Sequence, residues 1–260
     1  MSEPEIPRPD VWRRLRDATP ARIALKRAGV AISTDAELAF RLAHAEARDA
    51  VLAEFDSDAF QGSLERTGQS VVGVKSAAVD KQTYLLRPDL GRRLGEGCRD
   101  AIAAYAGEFD VAFVVADGLS ALAVERHGAD LIGRLMLQSQ EAGWKVAPIV
   151  VVERGRVAIG DEIGELLGCR LVVVIIGERP GLTSPDGLGA YLTYAPRFGR
   201  NDAERNCVSN IHRSGLGYDE AAFRIAWLIR EGLAREITGV ALKDESGGRS
   251  PRVIANSKPT

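Results

Sequence analysis

Between Arg205 and Gly215 the chain reads RNCVSNIHRSG. This stretch carries a thiol (Cys207), an imidazole (His212), two amides (Asn206, Asn210), two hydroxyls (Ser209, Ser214) and two guanidinium groups (Arg205, Arg213). A nucleophilic Cys207–His212 pair would need a thiolate within hydrogen-bond reach of the imidazole; five positions in a loop permit that without dictating it. The plainer alternative is that Asn206, Ser209 and Asn210 bond the loop's own backbone, as such residues do in turns. A second site stands at GERPG (177–181), where an apolar run ends abruptly in Glu178 and Arg179. Pro180 fixes its own φ and pushes Arg179 into an extended conformation. Glu178, held rigidly, could accept hydrogen bonds from ligand amides or hydroxyls; the alternative is an internal salt bridge to arginine. A third cluster, RPDLGRR (87–93), reads either as a solvated helix start or as an anion contact.

The usual catalytic sets are missing. There is no GxSxG, no HExxH, no GxxxxGK[ST], and no GxGxxG after a strand. Of the three histidines, His44 and His127 read as structural or solvent-exposed, and only His212 lies in a reactive segment. No catalytic residue and no metal ligand is assigned. Cys98, Cys169 and Cys207 match neither zinc nor redox-pair spacing, and three cannot all pair within one chain, which indicates a reducing, cytoplasmic compartment. Net charge is −2 with both signs interleaved, so nucleic acid is not the expected partner. The N-terminal MSEPEIPRPDVW lacks the apolar centre of a signal peptide. No apolar run reaches the roughly 18–20 residues that span a bilayer.

The elements that must position these groups follow from patterning. Residues 10–56 read as helical: Thr19-Pro20 caps ARIALKRAG, and Thr34-Asp35-Ala36-Glu37 opens a second helix with Leu38, Leu42, Ala45 and Val51 on one buried face. From residue 69 apolar strands alternate with helices. QSVVGVKS, VAFVVAD (111–117), WKVAPIVVVE (144–153), RLVVVIIGE (170–178) and GAYLTYAPR (189–197) read as strands. Helices are expected after Arg87-Pro88-Asp89, over 119–142, over Asp161–Gly168 and over Tyr218–Glu236. Strands apolar throughout indicate a sheet buried on both faces. The expected fold is α/β, doubly wound and Rossmann-like, with a mainly parallel sheet. The expected domains are a helical N-terminal arm (1–68), an α/β domain (69–243) and a flexible tail (244–260). Loops 117–120, 154–157 and 177–181 all follow strands and should open on one ligand edge. In the last helix, Glu220/Arg224 and Glu231/Arg235 are i,i+4 pairs on a narrow charged strip, so a second side needs cover from a partner subunit or from the N-terminal helices.

Six segments in order, TPARIALKRAG, YLLRPDLGRRL, ADGLSALAV, GRVAIGDEIGELLG, GERPGL and RNCVSNIH, resemble the small subunit of ethanolamine ammonia-lyase, from about residue 10 to 242. The resemblance implies an adenosylcobalamin-dependent enzyme converting ethanolamine to acetaldehyde and ammonia. It implies a separate large subunit, a TIM-type barrel carrying substrate and radical chemistry, with the small subunit helping to hold the cobalamin at the interface. The family's cobalamin contacts map onto Val157 in GRV, Glu178 in GERPG and Cys207 in RNC. The DxHxxG pattern of proteins that place a histidine below cobalt is missing, so the cofactor is expected to keep its own lower base. Family members carry a longer N-terminal extension linked to packaging in a bacterial microcompartment; about ten residues precede Val11-Trp12 here, so plain cytosol is expected at least as readily. Without the resemblance, the ligand-edge loops would suit a stand-alone corrinoid- or nucleotide-binding module.

Overall fold

The apolar runs condense into one mixed six-stranded sheet. The computed structural model describes residues 11–19, 21–25 and 27–248. In chain order these form α1 (Val11–Asp17), β1 (Arg27–Ala28), β2 (Ala31–Ile32), α2 (Thr34–Leu52), α3 (Ser57–Glu65), β3 (Val71–Lys75), α4 (Lys81–Leu86) and α5 (Cys98–Ala103). Then come β4 (Phe109–Ala116), α6 (Ala121–Ala123), a π-turn (Val124–Gly128), α7 (Ala129–Ala142), β5 (Ile149–Glu153) and α8 (Ile159–Leu167). The last elements are β6 (Cys169–Gly177), β7 (Leu188–Tyr194), β8 (Arg205–Ile211) and α9 (Tyr218–Arg235).

The sheet order is β3-β5-β4-β6-β7-β8. The ladders β3–β5, β5–β4 and β4–β6 are parallel, while β6–β7 and β7–β8 are antiparallel. Three of the five ladders are parallel, so the expected α/β sheet forms, but it is mixed rather than wound in the Rossmann manner. The links 178–187 and 195–204 are shorter than the dozen or more residues a parallel crossover requires, so the chain turns back on itself twice. The strand order also departs from the Rossmann 3-2-1-4-5-6.

Side chains on β4 alternate between two cores. Val111, Phe113 and Val115 join a cluster with α3, α7 and α9. Ala112, Val114 and Ala116 join another with α5 and α8. Gly160 lets α8 lie close on β6, since a methyl there would overlap Val174. The second face is unevenly covered. β7 and β8 reach past α8, leaving Tyr191 half-buried and Cys207 exposed. The α9 face is closed: Leu188, Ala190, Leu192, Val208 and Ile211 are buried there.

Both expected ion pairs form on α9, Arg224–Glu220 at 2.7 Å and Arg235–Glu231 at 2.6 Å. Its second side is covered from within the domain by α7, tied on by Arg134–Asp219 at 2.5 Å. The Arg87-Pro88-Asp89 segment opens only a 3-10 turn (Leu90–Arg92), and TYLL belongs to α4.

The N-terminal region differs from expectation in two places. ARIALKRAG is not helical over 21–25; instead β1 and β2 pair around Gly29, whose φ of +61° sets the turn. Pro20 lies outside the described residues. Helix α2 begins at Thr34 as expected, but Leu38 and Leu42 are each 61% exposed and its buried residues are Ala43 and Ala50. Most of the tail lies outside the described residues; within them Ser246 is buried in a 3-10 turn. No described helix is long and apolar enough to cross a membrane.

Candidate functional site: an open wall at the ligand edge

The loops after β4, β5 and β6 do meet on one edge. Leu119 N donates to Gly177 O at 3.0 Å, and Gly155 N to Asp117 Oδ1 at 3.3 Å. The loops approach so closely that Cβ atoms are excluded: one at Gly118 would overlap Gly177 O, and one at Gly177 would lie 2.5 Å from Asp117 O. Asp117 is buried beneath them and burial pushes its carboxyl up to about 6, against the pull of Lys81 and the backbone N–H donors. Lys81 Nζ lies 3.9 Å from Asp117, buried and without a hydrogen-bond partner, and its pKa is lowered chiefly by that burial.

RNCVSNIH is an edge strand, not the expected loop. As β8 it pairs with β7, and Cys207 stands opposite Tyr191, itself opposite Val174 of β6. Paired residues share a face, so Tyr191 and Cys207 project together from the side α8 leaves open. Desolvation is the main cause that raises the pKa of both groups, the phenol and the thiol each acting on the other. His212 is engaged elsewhere: its Nε2 lies 2.9 Å from Asn210 Oδ1. No hydrogen bond joins Cys207 to His212 among the described residues, so the thiolate–imidazole pair does not form.

The polar residues around them are structural anchors. Asn206 Nδ2 donates to Leu242 O at 2.6 Å and its Oδ1 accepts from Gly239 N at 2.9 Å, pinning the segment after α9. Arg205 is buried and forks onto Asp161 of α8 at 2.6 and 2.7 Å, with Thr193 Oγ1 at 2.8 Å. Asn210 adopts φ +60°, which asparagine tolerates, and turns the chain off the sheet.

Glu178 makes no ion pair among the described residues. Half-buried, it accepts from Asn210 N at 3.3 Å, and burial raises its pKa. Two glycines make room for its carboxylate. A Cβ on Gly189 would sit 2.7 Å from Glu178 Oε1 and 3.1 Å from Tyr191, and one on Gly187 would sit 3.5 Å from Oε2. Glu178, Tyr191 and Cys207 thus form one surface. Val157, in the turn before α8, packs against the core cluster that Tyr191 also borders, three residues before Gly160 closes on Val174. Beyond it opens a hollow of about 590 Å³ between Arg93, Ala158, Asp161 and Phe198, with the Arg93 guanidinium 4.1 Å over the Phe198 ring. Tyr191 escaped the sequence reading. Its signal was strand parity with Gly189 in GAYLTY, which becomes informative only once the partner strand is known.

Such a wall can accept hydrogen bonds, pack against a broad flat ligand and hold it. Fold and wall define an α/β protein with one open, partly polar face, on which no hydrogen bond pairs a nucleophile with a base among the described residues. Residues 9–243 match the family model described as ethanolamine ammonia-lyase light chain (EutC). A protein of Bradyrhizobium diazoefficiens named ethanolamine ammonia-lyase small subunit is 54% identical over 261 residues, covering all of both chains. Identically named proteins of Rhodopseudomonas palustris (56% over 235 residues, 90% of each chain) and Xanthomonas campestris pv. campestris (53% over 250 residues, 95% and 92%) agree. The chain belongs to the ethanolamine ammonia-lyase light-chain family.

Proposed function

We propose that this chain is the small subunit of an adenosylcobalamin-dependent ethanolamine ammonia-lyase, inactive alone, and that Val157, Glu178 and Cys207 help hold the cobalamin against a catalytic large subunit. The observation that carries this reading is the β7–β8 face left open beside α8, with exposed Cys207 next to half-buried Glu178. A corrin is broad, flat and rimmed with carboxamides. The wall suits it: Gly187 and Gly189 leave depth where side chains would project, the Glu178 carboxylate accepts from amide N–H groups, and Val157 offers an apolar contact. The neutral Cys207 thiol contributes a small, soft contact rather than a nucleophile. Radical chemistry is supplied by the cofactor when bound; the protein supplies binding, orientation and electrostatics. In this chain, Arg205–Asp161 fixes α8 to the sheet and so sets Val157 relative to Cys207.

The test is reconstitution. This chain and the large subunit are assayed for acetaldehyde from ethanolamine, separately and mixed, with and without adenosylcobalamin. Turnover only in the complete mixture is expected. Full activity of the large subunit without this chain would contradict the proposal.

A further inference from the structure

A second cavity, of about 430 Å³, opens on the same edge, lined by Arg126, His127, Asp186, His212, Arg213 and Ser214. Its floor is ordered. His127 is 4% exposed, with Nδ1 2.6 Å from the Tyr218 hydroxyl and Nε2 3.2 Å from Asp186 Oδ2. Arg126 Nη1 donates to the same Asp186 oxygen at 2.9 Å. Both Arg126 and His127 lie in the π-turn Val124–Gly128, a helix irregularity that recurs at functional sites. Burial would raise the Asp186 carboxyl, but its bonds to Arg126 and His127 outweigh that and lower it. The single carboxylate is therefore charged and already committed.

The opposite wall is the turn after β8. Gly215 N donates to His212 O at 3.1 Å and Leu216 N to Asn210 O at 2.8 Å, so the turn is pinned. Among the described residues the Arg213 guanidinium has no ion pair and no hydrogen bond, and the Ser214 hydroxyl has none. Two guanidinium groups and an uncommitted hydroxyl thus line a cavity that holds one carboxylate. This arrangement fits an oxyanion. A tetrahedral phosphoryl group can reach donors on both walls at once, whereas a flat carboxylate presents two oxygens in one plane.

We infer that this cavity is a phosphoryl-binding subsite, with Arg213, Ser214 and Arg126 as its donors. It adjoins the Glu178 wall: a Cβ on Gly187 would lie 3.5 Å from Glu178 Oε2 and 4.0 Å from the His212 ring. The phosphate has two sources, the phosphodiester of a corrinoid's nucleotide loop or a free phosphate compound. The subsite stands on its own geometry; only the first source rests on the cobalamin reading.

The probe is inorganic phosphate, titrated into the full chain and followed by phosphorus NMR. The wild type is expected to saturate. Loss of one charge-assisted bond in Arg213→Ala weakens binding by about tenfold or more. Ser214→Ala weakens it less, and Arg230→Ala, an exposed arginine on α9 outside the cavity, leaves it unchanged. No saturable binding by the wild type, or equal binding by Arg213→Ala, overturns the subsite. A second arm uses the complex with the large subunit. If Arg213→Ala weakens adenosylcobalamin but not adenosylcobinamide, which lacks the nucleotide loop, the corrinoid is the source. If it weakens neither while phosphate binding is lost, the source is a free phosphate compound. A wild-type complex that binds neither corrinoid defeats the cobalamin reading and leaves the phosphate result standing.

Discussion

The Arg205–Asp161 pair joins α8 to the sheet beneath the wall, and its removal should be costly. Both side chains are 3% exposed, and the guanidinium forks onto the two carboxylate oxygens. Asp161→Leu strands a buried arginine; Arg205→Met strands a buried carboxylate. Breaking one side of such a pair costs about 3–5 kcal/mol. At about 2–4 °C per kcal/mol for a chain of this size, the melting temperature falls by roughly 6–20 °C. Asp202, whose side chain is 93% exposed, offers Arg205 little compensation. Replacing both partners together removes the stranded charge, so Asp161→Leu with Arg205→Met recovers more than half of the loss, short of full recovery because Thr193 Oγ1 and Arg200 O lose a donor. Urea unfolding followed by tryptophan fluorescence measures all four corners of the cycle. Single variants that cost less than about 1 kcal/mol, or a cycle that is simply additive, would refute the reasoning.

Three further outcomes are expected. Asp117 carries a folded pKa of about 6 against an ordinary 3.8, so the folded chain holds a proton the unfolded chain releases; this group's contribution to stability is full below about pH 4, is lost as pH rises to about 6, and amounts to about 3 kcal/mol. In Asp117→Asn, which still accepts from Gly118 and Gly155, that slope disappears; urea midpoints at pH 4.5 and 7 check this, and an unchanged slope contradicts it. Cys207→Ala preserves turnover in the assembled enzyme but weakens cobalamin retention, and Cys207 alkylates slowly at neutral pH because its thiol pKa is raised; loss of turnover with cofactor still bound would instead indicate a catalytic thiol. Gly189→Ala pushes Glu178 aside, a flexible end that can yield, so stability changes by less than about 1 kcal/mol while corrin retention drops; retention equal to wild type would detach Glu178 from the site.

What could be read from sequence divides along physical lines. β4, β6, α8 and α9 were legible because continuous apolar runs and helical stripes report burial directly. Direction was not, because an apolar run reads the same in a parallel or antiparallel ladder; only the short links 178–187 and 195–204 carried that information. RNCVSNIH hid as a loop because one face of this edge strand is polar and open, and a register shift near Leu188/Ala190 disturbs its pairing. On α2 the apolar stripe misled: Leu38 and Leu42 point outward, and alanines turn inward. Val157, Glu178 and Cys207 could be named from family resemblance, but the link between Glu178 and Cys207 through Tyr191 needed the strand register.

The most direct measurement is of the wall itself. This chain, tagged, is purified with the large subunit, loaded with adenosylcobalamin and passed through gel filtration, and the visible spectrum of the protein peak is recorded. Corrin absorbance that travels with the complex, and is largely lost in the Glu178→Ala, Cys207→Ala double variant while the subunits still co-elute, is the expected result. Full retention of the corrin by that double variant would contradict the account.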